Sequence, residues 1–160
     1  MTQGPTRLDV TVSYALARKG VPAANSFRHW IAAALKGRIR EADLALRIVD
    51  NKEGRALNRH YRGRDYATNV LSFPAELPEG LPKGVKLPLL GDLVICAPVV
   101  VREAREQKKS LSDHYAHLTV HGTLHLLGWD HEDEREAECM EQLEREILAT
   151  LGIADPYLED

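Results

Sequence analysis

The chain has 160 residues, 44% hydrophobic and 28% charged, with a formal net charge of −3; that size suits one domain, residues 1–160, able to bury roughly two thirds of its unfolded surface. No run of about eighteen apolar residues occurs, which excludes a membrane-spanning helix. The opening MTQGPTRLDVTV lacks a basic segment followed by an apolar one, so a cytoplasmic location is expected.

LDVTVSY (8–14) alternates apolar and polar residues with β-branched enrichment, the pattern of a half-buried strand. Asn25 or Ser26 is placed to cap a helix through FRHWIAAALK, with Gly37 as its stop and His29 as a structural residue. DLALRIVD (43–50) alternates again, and NKEGRALNRHYRG reads as a short helix bearing Arg55, Arg59 and Arg62. NVLSF (69–73) reads as a buried strand. The next stretch, PAELPEGLPKGVKLPLL, contains Pro74, Pro78, Pro82 and Pro88 with Gly80 and Gly84, so it predicts a long loop, either a binding lid or a connector. GDLVICA (91–97) returns as a strand, and Pro98 suits the first turn of a helix running to about Lys109. Helices over 113–127 and 134–151 close the chain, the last ending at Gly152. Four strands and five helices in this order predict an α/β (α+β) protein with no repeat or linker that would divide it. Cys96 and Cys139 are too far apart for a C-x-x-C metal pair, and both read as packing residues.

The net charge conceals an asymmetry. Residues 1–70 hold 13 Lys+Arg against 6 Asp+Glu, whereas residues 71–160 hold 8 against 18. One basic surface is therefore expected, of a kind that could steer a polyanion.

HGTLHLLGWDH (121–131) carries the chemistry. His121 and His125 are four apart, so a helix puts both rings on one face, one turn apart. Gly128 can take a left-handed conformation that ends this helix and turns the chain back, delivering His131. Three imidazoles with no fourth protein ligand make the pattern of a catalytic zinc site, which keeps one position for water or substrate. Such an ion lowers the pKa of bound water from about 16 to about 7 and polarises a carbonyl or phosphoryl oxygen. His117 lies one turn before His121, but one helix cannot bend three successive turns around a single ion, so it should have a packing or supporting role. His114 and His60 read as ordinary surface residues. Asp130 could orient a histidine, although a turn aspartate capping backbone amides is the plainer reading.

The spacing H-x3-H-x2-G-x2-H matches the metzincin protease pattern except at Gly122, which stands where those proteases have glutamate. That glutamate activates water and relays its proton to the leaving amine, which glycine cannot do. Peptide hydrolysis is thus not expected. A Lewis acid without a built-in base favours a substrate with an easier leaving group, such as a phosphodiester. The segment LNRHYRGRDYATNVLSF (57–73) supplies several arginines able to fork onto a phosphate, and spacing alone does not choose among them.

HGTLHLLGWDH, together with LNRHYRGRDYATNVLSF, GDLVIC and the closing LGIADPY, resembles the YbeY family of bacterial rRNA-maturation endoribonucleases, in matching order from about Leu44 to Tyr157. The resemblance implies a small mixed sheet packed by helices and one zinc ion per chain on His121, His125 and His131. It places the family's functional arginine on Arg62, so Arg62 and the metal-bound His121 are the expected catalytic residues. It further implies cleavage of single-stranded RNA, formation of the 3′ end of 16S rRNA and quality control of 70S ribosomes. The partners it implies are the small (30S) ribosomal subunit with its proteins and ribosome-assembly GTPases. Arg64 stands where the family commonly has lysine, and Tyr66-Ala67 replaces a lysine-proline pair; both departures change little chemistry. The rival expectation is a non-enzymatic ribosome-assembly factor with a structural metal. Nickel, copper or iron would also suit three imidazoles.

Overall fold

The computed structural model describes residues 7–76, 79–82 and 88–158. The elements run β1 (Arg7–Tyr14), α1 (Ala24–Leu35), β2 (Glu41–Val49), α2 (Asn51–Arg62), β3 (Val70–Pro74), β4 (Leu89–Cys96), α3 (Ala97–Glu106), α4 (Leu111–Leu126) and α5 (Glu134–Thr150). The strands form one mixed sheet in the order β1-β2-β4-β3. β1 and β2 are parallel, as are β2 and β4, while β3 runs antiparallel to β4 along the edge. Pro74 ends that edge strand, where a missing N–H disturbs least.

Alternation along the strands sorts the core into two layers. Leu44, Leu46 and Ile48 of β2 and Leu93 and Ile95 of β4 join Phe27 and Ile31 of α1, Leu118 and Leu124 of α4, and Met140 and Leu148 of α5. The opposite face carries a smaller cluster of Val49, Leu71, Val94, Cys96 and Val99, onto which α2 packs Leu57.

α4 is the hub of the larger layer, touching α1, α3, α5, β3 and β4. It is buried on nearly every side, from His114 to Leu126, as expected of a helix enclosed by other elements. Ser110 caps it by accepting the Asp113 N–H at 3.1 Å, and the buried hydroxyls of Thr119 and Thr123 donate back to the carbonyls of Tyr115 and Thr119. It packs tightly on the sheet at Gly122. There the Ser72 hydroxyl donates to the Gly122 carbonyl at 3.0 Å. A Cβ on residue 122 would lie 2.9 Å from Leu93 Cδ2 and 3.0 Å from Val70 Cγ2.

Several expectations need correction. α1 starts at Ala24, and Ala23 precedes it without a side-chain cap; Asn25 already lies inside the helix, where its Oδ1 accepts from Arg28. His29 is exposed on α1 rather than structural. Cys96 packs in the core, but Cys139 is exposed on α5. β4 begins two residues before GDLVICA, so the end of the proline-rich stretch is strand; residues 77–78 and 83–87, with Pro78 and Gly84, lie outside the described residues. Among the described residues no helix is long and apolar enough to cross a membrane.

Candidate metal centre

The C-terminus of α4 shows how the sequence folds the site. Beyond Leu126, Gly128 takes φ +101°, its N–H donates to the His125 carbonyl at 3.0 Å, and the Trp129 N–H donates to the Leu124 carbonyl at 3.0 Å. This paired-bond cap satisfies the last carbonyls and reverses the chain. The reversal brings His131 back over the helix, so that one nitrogen from each of His121, His125 and His131 lies within 4.8 Å of the others.

The remaining nitrogens decide what this cluster can hold. The His125 Nδ1–H donates to the Trp129 carbonyl at 2.9 Å, and a carbonyl can only accept. The His121 Nδ1–H donates to Glu144 Oε1 at 2.5 Å. Both Nδ1 atoms therefore carry the proton in the neutral rings, and both Nε2 atoms present bare lone pairs. These two atoms face each other at 3.0 Å. Two lone pairs so placed repel unless a cation sits against both, and tetrahedral Zn–N bonds of about 2.0–2.1 Å would set neighbouring nitrogens about 3.3 Å apart. The donor set thus fits a zinc-like ion. Burial, followed by the neighbouring His121 and His131 rings, pushes the His125 imidazole below its ordinary pKa, toward the neutral form that metal binding requires. The His131 side chain is 55% exposed against 24% for His121, so the cluster opens to solvent on the His131 side.

Beneath the cluster lies a group that the histidine spacing does not announce. Glu144 of α5 is fully buried and accepts from the Tyr157 hydroxyl at 2.5 Å as well as from His121. Burial works to raise its carboxyl, but hydrogen bonds from His117, His121 and Tyr157 outweigh it and hold the group at about 2. Glu144 is therefore an anion facing the protonated nitrogen of His121, the arrangement that in metal centres fixes ring orientation and raises ligand basicity. Its signal in the sequence is positional: Met140, Glu144, Ile147 and Leu148 are all buried at helical spacing, and a carboxylate on such a stripe requires partners.

The other polar residues take simpler places. The Asp130 carboxylate accepts the His131 backbone N–H at 2.7 Å and stays 4.0 Å from that ring, so it caps the turn. His117 lies 3.1 Å from the Tyr157 hydroxyl, in the supporting position expected of it. His114 departs from expectation: it is 2% exposed and lies 3.0 Å from Glu103 Oε1, because α4 has no solvent face at that turn. His60 is exposed on α2.

The structure does not join Arg62 to the histidines. α2 packs on the opposite face of the sheet, and Arg62 is exposed in its last turn, with no hydrogen-bond or ion-pair partner among the described residues. Arg55, two turns earlier on the same side of α2, is instead tied to Asp65 at 2.7 and 2.8 Å. The edge strand β3 separates the two features: Ser72 bonds to α4, while the Phe73 ring meets Tyr61 of α2 at 4.9 Å between centroids.

Fold and site together define a small α/β protein whose central helix presents a three-histidine centre, backed by a buried carboxylate and open on one side. Residues 17–152 match the family model described as Endoribonuclease YbeY. A Xanthomonas axonopodis pv. citri protein named Endoribonuclease YbeY is 82% identical over 157 residues, and a Stenotrophomonas maltophilia protein of that name is 81% identical; each alignment covers 98% of both chains. The solution structure of a Thermotoga maritima protein shares the fold with a TM-score of 0.57 at 22% identity, over 94% of this chain and 99% of the other. The chain belongs to the YbeY endoribonuclease family.

Proposed function

We propose that this protein is a single-domain, metal-dependent endoribonuclease that cuts single-stranded RNA in the cytoplasm. Its substrate is 16S rRNA near the 3′ end, and it also acts in quality control of 70S ribosomes. Its partners on this reading are the small subunit, its proteins and a ribosome-assembly GTPase. The observation that carries the proposal is the pair of bare Nε2 atoms, 3.0 Å apart with His131 beside them, in a chain of this family.

His121, His125 and His131 would hold one zinc ion, which supplies Lewis acidity toward a phosphoryl oxygen and toward water. Glu144 and the Trp129 carbonyl hold the first two rings in the tautomer that bares Nε2. Position 122 contributes no base, since its Cα faces Leu93 and Val70 rather than the cluster. Arg62, without a hydrogen-bond or ion-pair partner among the described residues, is the cation that binds a phosphate of the RNA and its developing charge. The strand would then pass around the β3 edge to engage both features at once.

Arg62→Glu tests this assignment: RNA cleavage should vanish while metal content and thermal stability stay at wild-type values, and unchanged cleavage would remove Arg62 from the scheme. His125→Ala separates enzyme from scaffold. A nuclease stays folded and loses cleavage, whereas an assembly factor with a structural metal loses its fold.

A further inference from the structure

The short segment after α5 is strapped down by several polar contacts. Asp155 accepts from Arg145 Nε, 3.2 Å to Oδ1 and 3.0 Å to Oδ2, and from the Tyr157 backbone N–H at 2.8 Å. Lys109 Nζ donates to the Pro156 carbonyl at 2.7 Å. The Arg145 guanidinium lies over the Tyr157 ring, 5.2 Å from its centroid. All of these contacts converge on one result, the Tyr157 hydroxyl placed 2.5 Å from Glu144 Oε2.

That oxygen is the one Glu144 does not use for His121. A fully buried carboxylate with one oxygen unpaired would carry a desolvation penalty, and it would turn about its terminal torsion to find a donor. With Tyr157 on Oε2 and His117 Nε2 lying 3.5 Å from Oε1, the carboxylate plane is fixed and Oε1 stays on His121 Nδ1. The ring of His121 is fixed in turn, with Nε2 toward His125.

We infer that Tyr157 is a positioning residue of the metal centre: by locking Glu144 it holds His121 in its ligand orientation, so the C-terminal segment sets how tightly the site holds its ion. This rests on the three-histidine cluster being a metal site. Partners of this kind typically contribute about 10–100-fold in metal affinity.

The test is the affinity for zinc ion, measured on the full chain by competition with a chromophoric chelator, alongside the thermal midpoint of the metal-free protein. Glu144→Gln keeps the side-chain shape without the charge and should weaken zinc binding by about 10–100-fold. Tyr157→Phe should weaken it by about 10-fold, at the low end of that range. Leu158→Ala, at a residue 70% exposed, should leave it unchanged. Tyr157→Phe with a lowered metal-free midpoint but wild-type zinc affinity would show that the segment serves the fold alone and overturn the inference. Weakening by Glu144→Gln with none from Tyr157→Phe would confine the role to Glu144 and overturn it equally. If Tyr157→Phe does not fold, Arg145→Ala decides in its place, wild-type affinity again counting against it. A folded wild-type chain that binds no zinc would remove the metal site itself, which is a separate failure.

Discussion

Gly122 is where the fold and the choice of chemistry meet, and substitution there has calculable consequences. A helix-interior glycine costs about 1 kcal/mol relative to alanine, so Gly122→Ala would stabilise an unobstructed helix by that amount. Here the added Cβ meets Leu93 Cδ2 at 2.9 Å, Val70 Cγ2 at 3.0 Å and Ser72 Oγ at 3.3 Å, all tighter than ordinary van der Waals contact. Overpacking of this kind costs about 1–3 kcal/mol. The net expectation is a loss of up to about 2 kcal/mol, or a midpoint lowered by up to about 8 °C for a domain of this size. Gly122→Glu, which restores the protease pattern, should do far worse, because its carboxylate would enter apolar contacts between α4 and β3–β4 with no partner. It should unfold the protein or displace α4, and it should not hydrolyse peptides. Thermal and denaturant unfolding test the first variant, and a casein digestion assay tests the second. A Gly122→Ala protein about 1 kcal/mol more stable than wild type, or a folded, proteolytic Gly122→Glu protein, would refute this packing argument.

Three further outcomes are expected. Zinc at about 100 times its dissociation constant should stabilise the protein by about 2.7 kcal/mol in thermal unfolding, and His131→Ala should remove that gain without lowering the metal-free midpoint. Asp130→Asn should leave zinc affinity unchanged, because its oxygen still caps the His131 N–H; a tenfold loss would mean that the carboxylate acts on a ligand ring. Glu103 accepts from His114 and Asn69, and although burial works to raise its carboxyl, these hydrogen bonds bring it below the ordinary range. A carboxyl depressed in the folded state contributes stability above its unfolded pKa of about 4.3, lost as pH falls through the folded value. Glu103→Ala should therefore cost about 1–3 kcal/mol at neutral pH in denaturant titrations, and less in acid; a gap independent of pH would contradict the linkage.

Much of the site was legible because it is local. His121 and His125 need only helical spacing, and His131 needs only the reversal that Gly128 permits, so eleven consecutive residues contain the whole three-histidine cluster. Glu144 and Tyr157 are not legible in this way because their contacts depend on where α5 and the following segment cross α4, a tertiary fact carried by no short motif. The same limit explains His114. Periodicity identifies a buried face by its apolar residues, and α4 is enclosed on faces that carry histidine and threonine. Gly122 was visible as a missing base, yet its physical reason, contact with Leu93 and Val70, appears only when the helix rests on the sheet. Arg62 shows the converse: its proposed role comes from the resemblance alone, while the layer order puts β3 between it and the histidines.

On the proposed function, RNA cleavage depends on an ion held by three imidazole nitrogens. Its most direct test is cleavage of a short single-stranded oligoribonucleotide by one preparation, stripped with chelator and then reloaded with zinc. Cleavage should disappear on stripping and return with the ion. Equal cleavage by the stripped and reloaded protein would contradict it.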